Sequence, residues 1–312
     1  WACCNGHKDV VQLLLDHSQR IDLNARNKGG LTAFIYACKK GHKDVVKLLL
    51  DHSQRIELNA SYDGGYTAFM WTCINGHKDV VKLLLEQSQR IELNARGRNR
   101  WTAFLLACGH GHKDVVQLLL DHSERIDLNA TDDRGFTAFL LACGRGHKDV
   151  VQLLLDHSER IDLNTIADHG VTALMLACGC GHKDVVQLLL DHSERIDLNA
   201  RDNNGRTAFN IACFHGHKDV VKLILDQPSL NLNIELNLNN GFVTTQGSFA
   251  FHEACQNGHK DVVQLLLDQP GLNLNIEFVE GITQGWAALA RACQDGHKDV
   301  VQLLLDDSER ID

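Results

Sequence analysis

Eighteen histidines and eleven cysteines carry most of the chemical capacity of this 312-residue chain. Three kinds of chemistry are open to them: metal coordination, thiolate attack, and hydroxyl attack assisted by an imidazole. The tightest cluster is Cys178, Cys180 and His182, with His110/His112 and His215/His217 behind it in the same register. A zinc site needs about four converging ligands, and this loop offers at most three. Nine cysteines, from Cys3, Cys38, Cys73 and Cys108 to Cys293, recur at one point of a repeating unit, and Ser123-Glu124-Arg125 recurs likewise. Catalysis needs one unique constellation, and a set copied along the chain is not unique. The patterns G-x-x-x-x-G-K-[ST], G-x-G-x-x-G before a helix, and H-E-x-x-H do not occur. The expectation is no enzyme, no metal and no cofactor.

A repeat positions these residues. The hexapeptide GHKDVV begins at Gly6, Gly41, Gly76, Gly111, Gly146, Gly181, Gly216, Gly258 and Gly296, spaced by 35 residues six times, then by 42 and 38. Residues 130–164 show what one unit folds into. Thr137 precedes the apolar run TAFLLAC and is a good N-cap, since its hydroxyl can accept an orphan N–H of the first turn. Gly144-Arg145-Gly146 breaks that helix, and a second is predicted from about His147 to His157. Asp149 lies in its first turn, where the helix dipole favours an acid. Val150, Val151, Leu153, Leu154 and Leu155 give an apolar face too wide for a lone surface helix. The Gly- and Asp-rich stretch from Asn164 to Gly170 predicts a hairpin turn. Such a pair buries both faces only by stacking on its neighbours, which is a solenoid. Stacking at about 8–10 Å keeps equivalent cysteines beyond the ~7 Å that a disulfide allows. They read as small buried hydrophobes in a reducing compartment, and a cytoplasmic location is expected.

The order hairpin, Gly, Thr, helix, Gly-His, Val-Val, Leu-Leu-Leu, Asn-Ala resembles the ankyrin repeat, nine times over and across all 312 residues. The resemblance implies an all-α repeat solenoid, an ankyrin-type stack of helix-turn-helix units joined by β-hairpin loops. The expected division is a single domain 1–312, with a partial first unit 1–24 and units at about 25–59, 60–94, 95–129, 130–164, 165–199, 200–234, 235–276 and 277–312. It implies a structural hydrogen bond between neighbouring loops for each Gly-His. It also makes Asn59, Asn94, Asn129 and Asn164 similar to repeat asparagines that hydroxylases modify. Two departures stand out. T-A-F-x, as in Thr102-Ala103-Phe104-Leu105, replaces T-P-L-H, and the unit exceeds the usual ~33 residues. The extra residues fall in stretches such as Asp121 to Asn129, expected as a longer second helix or a wider back loop. Trp1 falls inside a first helix and Asp312 stops before a next hairpin, so a segment of a longer array is expected. The block GHKDVVQLLLDHSERIDLN, repeated in three consecutive units, also suits a recent duplication or an engineered array.

Function is sought where the units differ. From Ala25 to Ile234 the hairpins read RNKGGL, SYDGGY, RGRNRW, TDDRGF, IADHGV and RDNNGR, while the linker DHSERIDLN barely varies before Asn199. In proteins similar to this one, hairpin tips and the near side of the first helix line the concave face that grips partners. The residue before the capping Thr is Leu31, Tyr66, Trp101, Phe136, Val171 and then Arg206, an apolar ladder of the kind that anchors interfaces. Leu106, Leu141 and their equivalents, next to the Ala-Cys, are expected in the core. The variable columns carry eleven basic residues: Arg26, Lys28, Lys39, Lys40, Arg96, Arg98, Arg100, Arg134, Arg145, Arg201 and Arg206. Against them stand five acidic ones, Asp63, Asp132, Asp133, Asp168 and Asp202, a net +6 in a chain of net −9. The reading is a non-catalytic scaffold, expected as a monomer, binding a protein or peptide of acidic and apolar character. Its hot spot is Arg96, Arg98, Arg100 and Trp101 with Tyr66 and Phe136. The longer hairpins 235–248 and 277–285 are either a second contact region or simple irregularity. The negative net charge argues against nucleic acid as partner. The lack of a ~20-residue apolar run argues against a membrane span. The alternative is a spacer or targeting segment of a larger protein.

Overall fold

The computed structural model describes residues 1–307 except 18, 20, 63, 88, 229, 238–242, 271, 275, 276, 280 and 281. Contacts divide it into two compact units, Trp1–Ala142 with Asp149–Asp162, and Cys143–Lys148 with Leu163–Asp312. In the first, each repeat gives a first and a second helix: α1 (Ala2–Asn5) and α2 (Lys8–Asp16), α3 (Ala33–Lys40) and α4 (Lys43–Asp51), α5 (Ala68–Ile74) and α6 (Lys78–Glu86), α7 (Ala103–Gly109) and α8 (Lys113–Asp121). First helices pack on first helices from α1 to α7, and second on second from α2 to α8. Helices α9 (Ala138–Gly144) and α10 (Lys148–Asp156) contribute residues to both units.

The second unit repeats the plan with α11 (Ala173–Gly179), α12 (Lys183–Leu190), α13 (Ala208–Phe214), α14 (Lys218–Leu225), α15 (Gln246–Gln256), α16 (Lys260–Leu267), α17 (Gln284–Gln294) and α18 (Lys298–Asp306). Again α11, α13, α15 and α17 pack in series, as do α12, α14, α16 and α18. Each unit is an all-α repeat solenoid. Among the described residues, strands occur only in hairpins: β1 (Ser61–Tyr62) with β2 (Tyr66–Thr67), β3 (Glu235–Asn237) with β4 (Val243–Thr245), and β5 (Glu277–Val279) with β6 (Ile282–Thr283), all antiparallel. Parts of the two longer hairpins expected at 235–248 and 277–285 lie outside the described residues. No described helix is long and apolar enough to cross a membrane.

The local chemistry explains the elements. Thr32, Thr67, Thr102, Thr137, Thr172, Thr207 and Thr245 each accept the N–H three residues on, at 3.3–3.4 Å, which starts every first helix in this set without a proline. The Phe of T-A-F is fully buried at Phe34, Phe104, Phe139 and Phe209, and the Val-Val and Leu residues complete the core. The first helix ends on a left-handed glycine such as Gly76 (φ +70), where an added Cβ would lie 2.5 Å from His112 Nδ1. That closeness has a purpose, because the His112 ring donates from Nε2 to the Ile74 carbonyl at 2.7 Å. The same bond runs from His42 to Cys4, His77 to Lys39, His182 to Gly144, His217 to Gly179, His259 to Phe214 and His297 to Gln256. The Gly-His dipeptide is therefore a loop-to-loop clamp, as the resemblance implied.

The extra residues do not lengthen the second helix, which stops at Asp51, Glu86 and Asp121. They form a linker that is half core and half ladder. Ile56, Leu58, Ile91, Leu93, Ile126, Leu128, Ile161, Leu163 and Ile196 are buried. Asn24, Asn59, Asn94, Asn129 and Asn164 each donate to one carbonyl in the next linker and accept one N–H from it, at 2.9–3.2 Å. The uniformity of DHSERIDLN thus has a packing cause. Ion pairs between successive second helices, such as Lys78–Asp114 at 3.4 Å and Lys183–Asp219 at 3.8 Å, follow the same translation but are exposed and worth at most ~1 kcal/mol each.

Candidate functional site

In the first unit the hairpin row is neither free surface nor core. Leu31, Tyr66, Trp101 and Phe136 are all half-buried. Backbone chemistry sets their positions. Asn27 and Asp132 accept two N–H groups each across their own turns, at 2.9 Å, which presents Leu31 and Phe136. Gly64 (φ +91) and Gly65 (φ +76) turn the next hairpin, and Tyr62 pairs with Tyr66 across it. Asn99 and Arg100 take left-handed φ values of 57° and 61°, unusual for side chains of this kind. Arg98 and Arg100 stand exposed on that turn.

The charges counted on this face divide into two groups. Arg26 donates to the Ser61 carbonyl at 2.6 Å and lies 3.8 Å from Glu57, and Arg96 lies 3.9 Å from Asp127. Arg26 thus braces the next repeat through Ser61, while Arg96 pairs with a carboxylate in the linker of its own repeat. Asp132, 7% exposed, is spent inside its turn, and Asp63 lies outside the described residues. Lys28, Lys39, Lys40, Arg98, Arg100 and Arg134 have no acidic partner among the described residues. Two of them lie on rings instead: Lys39 Nζ is 3.7 Å from the centre of the Trp71 ring, and the Arg134 guanidinium is 5.3 Å from that of Phe136.

Trp71 was not among the residues expected to bind. It belongs to the column of Leu106 and Leu141, which are buried as expected, at 3% and 8% exposure. In the same column Tyr36, Trp71, Leu176 and Ile211 are only half-buried, because that column sits at the rim of the first-helix face rather than within it. Trp71 stacks on Tyr62 with ring centres 5.8 Å apart and meets Tyr66 at 5.7 Å. Its indole Nε1 is buried without a hydrogen-bond partner among the described residues. Tyr62, Tyr66, Trp71, Ile74, Arg98, Leu106 and His110 line an open groove with about 560 Å³ of room. The signal in sequence was an aromatic residue in a column otherwise mostly aliphatic.

In the second unit, Arg145 is exposed and Val171 half-buried. Arg206 is bound to the buried Asp202 through Nε and Nη2, both at 2.9 Å, so it closes its own hairpin. Arg201 donates to the Glu235 carbonyl at 2.9 Å. The first helices of this unit carry titratable groups beside aromatics: Phe214 meets His215 edge-on at 4.9 Å, and Trp286 is exposed. Burial, then the charges of His217, Arg206 and His259, hold His215 below the ordinary imidazole range. Burial and Arg291 do the same to His252, while burial pushes Glu253 up against the opposing pull of Arg206.

The cysteine column is inert where it is buried. Cys3, Cys38, Cys73, Cys108, Cys143, Cys178, Cys213 and Cys255 are buried, and burial pushes their thiols up, away from the nucleophilic thiolate. Cys293 departs from the expected burial and is exposed, as is Cys180. In the cluster at Cys178, Cys180 and His182, the histidine donates from Nε2 to Gly144 instead, at 3.1 Å. Among the described residues no three His, Cys, Asp or Glu side chains are grouped to hold a metal ion.

Stacked helix pairs with capping Thr, Gly-His clamps and hairpins between repeats define a class, the helical repeat proteins that present a face to other proteins. A family model for ankyrin repeats in sets of three copies matches residues 1–96, 56–132, 89–167, 160–238 and 228–312. The chain belongs to the ankyrin repeat family. Comparison with curated proteins gives no match. Ankyrin repeats are in general protein–protein interaction modules, and the family is typically non-catalytic.

Proposed function

We propose that this chain is a non-catalytic scaffold that binds a partner protein on the hairpin and first-helix face of its first unit. The observation that carries the reading is the half-buried row Leu31, Tyr66, Trp101 and Phe136 beside cations that lack acidic partners among the described residues, chiefly Arg98, Arg100, Arg134, Lys39 and Lys40. Aromatic and arginine side chains in that state lose little entropy on binding and supply most interface energy. The partner it fits is acidic with apolar anchors, since opposite charge steers encounter. The invariance of the linker lends no support here, because the linker has its own packing reason to stay constant. Arg96, Val171, Arg206 and Arg145 are peripheral in this reading. The chain acts as a monomer in the cytoplasm, where its unbridged cysteines suit a reducing environment.

A displayed peptide library selected on the protein tests this. Selected sequences should be enriched in acidic and aromatic residues. Their affinity should fall at least tenfold for Tyr66→Ala combined with Trp101→Ala, a variant that circular dichroism should show as folded. Binders indifferent to that double variant would refute the face.

A further inference from the structure

We propose that the groove beside Trp71 is a peptide-anchoring site. It takes a carboxylate side chain of the partner against Arg98 and a neighbouring aromatic side chain against the Tyr62–Trp71 wall. This rests on the reading that the first unit binds a protein, and narrows it to one pocket and one ligand chemistry. Three observations converge on it. The wall is a stacked pair, Tyr62 on Trp71 at 5.8 Å and 21°, with Tyr66 tilted against it and Lys39 Nζ 3.7 Å over the Trp71 ring, so a further ring meets the wall edge-to-face beside that cation. Arg98 lines the same groove, exposed and without an acidic partner among the described residues, and its planar fork matches a carboxylate. His110 has its Nδ1–H committed to the Leu106 carbonyl at 2.8 Å, which leaves Nε2 of the neutral ring as an acceptor for a peptide N–H.

The size is right as well. About 560 Å³ of room falls inside the ~300–1,000 Å³ typical of ligand pockets, and no described residue lining the groove is acidic. Single-stranded nucleic acid also likes rings and arginines. The chain's net charge of −9 opposes a polyanion, and a single lining arginine cannot track a phosphate backbone.

The protein carries four tryptophans, so 5-fluorotryptophan labelling gives one ¹⁹F signal per site, with Trp71→Phe assigning the relevant one. The probes are the capped hexapeptide Gly-Ser-Glu-Phe-Glu-Gly, its Gln-for-Glu counterpart, and hexathymidylate. The acidic peptide should shift the Trp71 signal saturably and bind at least tenfold tighter than the Gln peptide. Arg98→Gln should erase that difference by weakening the acidic peptide at least tenfold. If the peptide shifts the Trp101 signal and leaves Trp71 unmoved, the groove is wrong while the wider face stands. Equal affinity for the two peptides, no shift at all, or tighter binding of hexathymidylate each overturns the proposal.

Discussion

Asn94 and Trp71 belong to the same repeat of the first unit and stand in opposite conditions. Both amide atoms of Asn94 are committed to the next linker, donating to Arg125 and accepting from Asp127. Trp71 has a cation on its ring, a buried Nε1 without a partner among the described residues, and a groove beside it. The Gly-His dipeptide recurs in every repeat and the linker barely varies before Asn199, and their polar groups are spent on neighbours. The hairpins and first helices vary, and several of their cations meet no acid among the described residues. The difference teaches where to look for function: repetition marks what holds the stack, and departure from it with unmet bonding capacity marks what is left for a partner.

Breaking the clamp should have the largest effect. Gly76→Ala forces a side chain into a left-handed position and against the His112 ring, and should cost about 3 kcal/mol in urea unfolding. A loss below about 1 kcal/mol would mean the loops adapt freely. His112→Ala removes the 2.7 Å bond to Ile74 and some packing, and should cost about 2 kcal/mol. Asn94→Ala loses two bonds at a wetter site, so about 1 kcal/mol is expected. On the other side of the comparison, Arg98→Gln should change stability by less than about 0.5 kcal/mol, since the residue is exposed. A cost as large as that of Asn94→Ala would erase the contrast.

The smallest effect concerns pH in the second unit. His252 is held below its ordinary range, so the unfolded chain takes its proton first. That contribution therefore destabilises the fold as pH falls through about 6.5. Glu253 is pushed up, so the folded state holds its proton longer and gains stability as pH falls through its raised value. In denaturant midpoints between pH 7.5 and 5, His252→Asn should flatten the acid-side loss, and Glu253→Gln should deepen it. Identical profiles for both variants would contradict these assignments.

Much of the fold was legible because its signals are local. Thr137 as cap and the break at Gly144-Arg145-Gly146 follow from residue types at fixed offsets, while the Gly-His bond was what the resemblance implied. The second helix runs from Lys148 to Asp156, within a residue of expectation at each end. The linker was harder to read. Asn94 bonds residues 31 and 33 positions away, a relation that a strict repeat hides because every asparagine looks alike. At the candidate site, sequence pointed to the hairpin column but not to Trp71. Its column holds the buried Leu106 and the half-buried Trp71 alike, and only packing separates them. Charge counting overstated the basic surface, since Arg26, Arg96 and Arg206 turn out to pair within the fold.

Hydrogen exchange mapped with and without a peptide selected on the protein tests the central claim most directly, because it reads both sides of the repeats at once. The expected result is protection concentrated at residues 61–74 and 96–106, with the linkers at 53–60 and 89–94 unchanged. Protection confined to those linkers would contradict it.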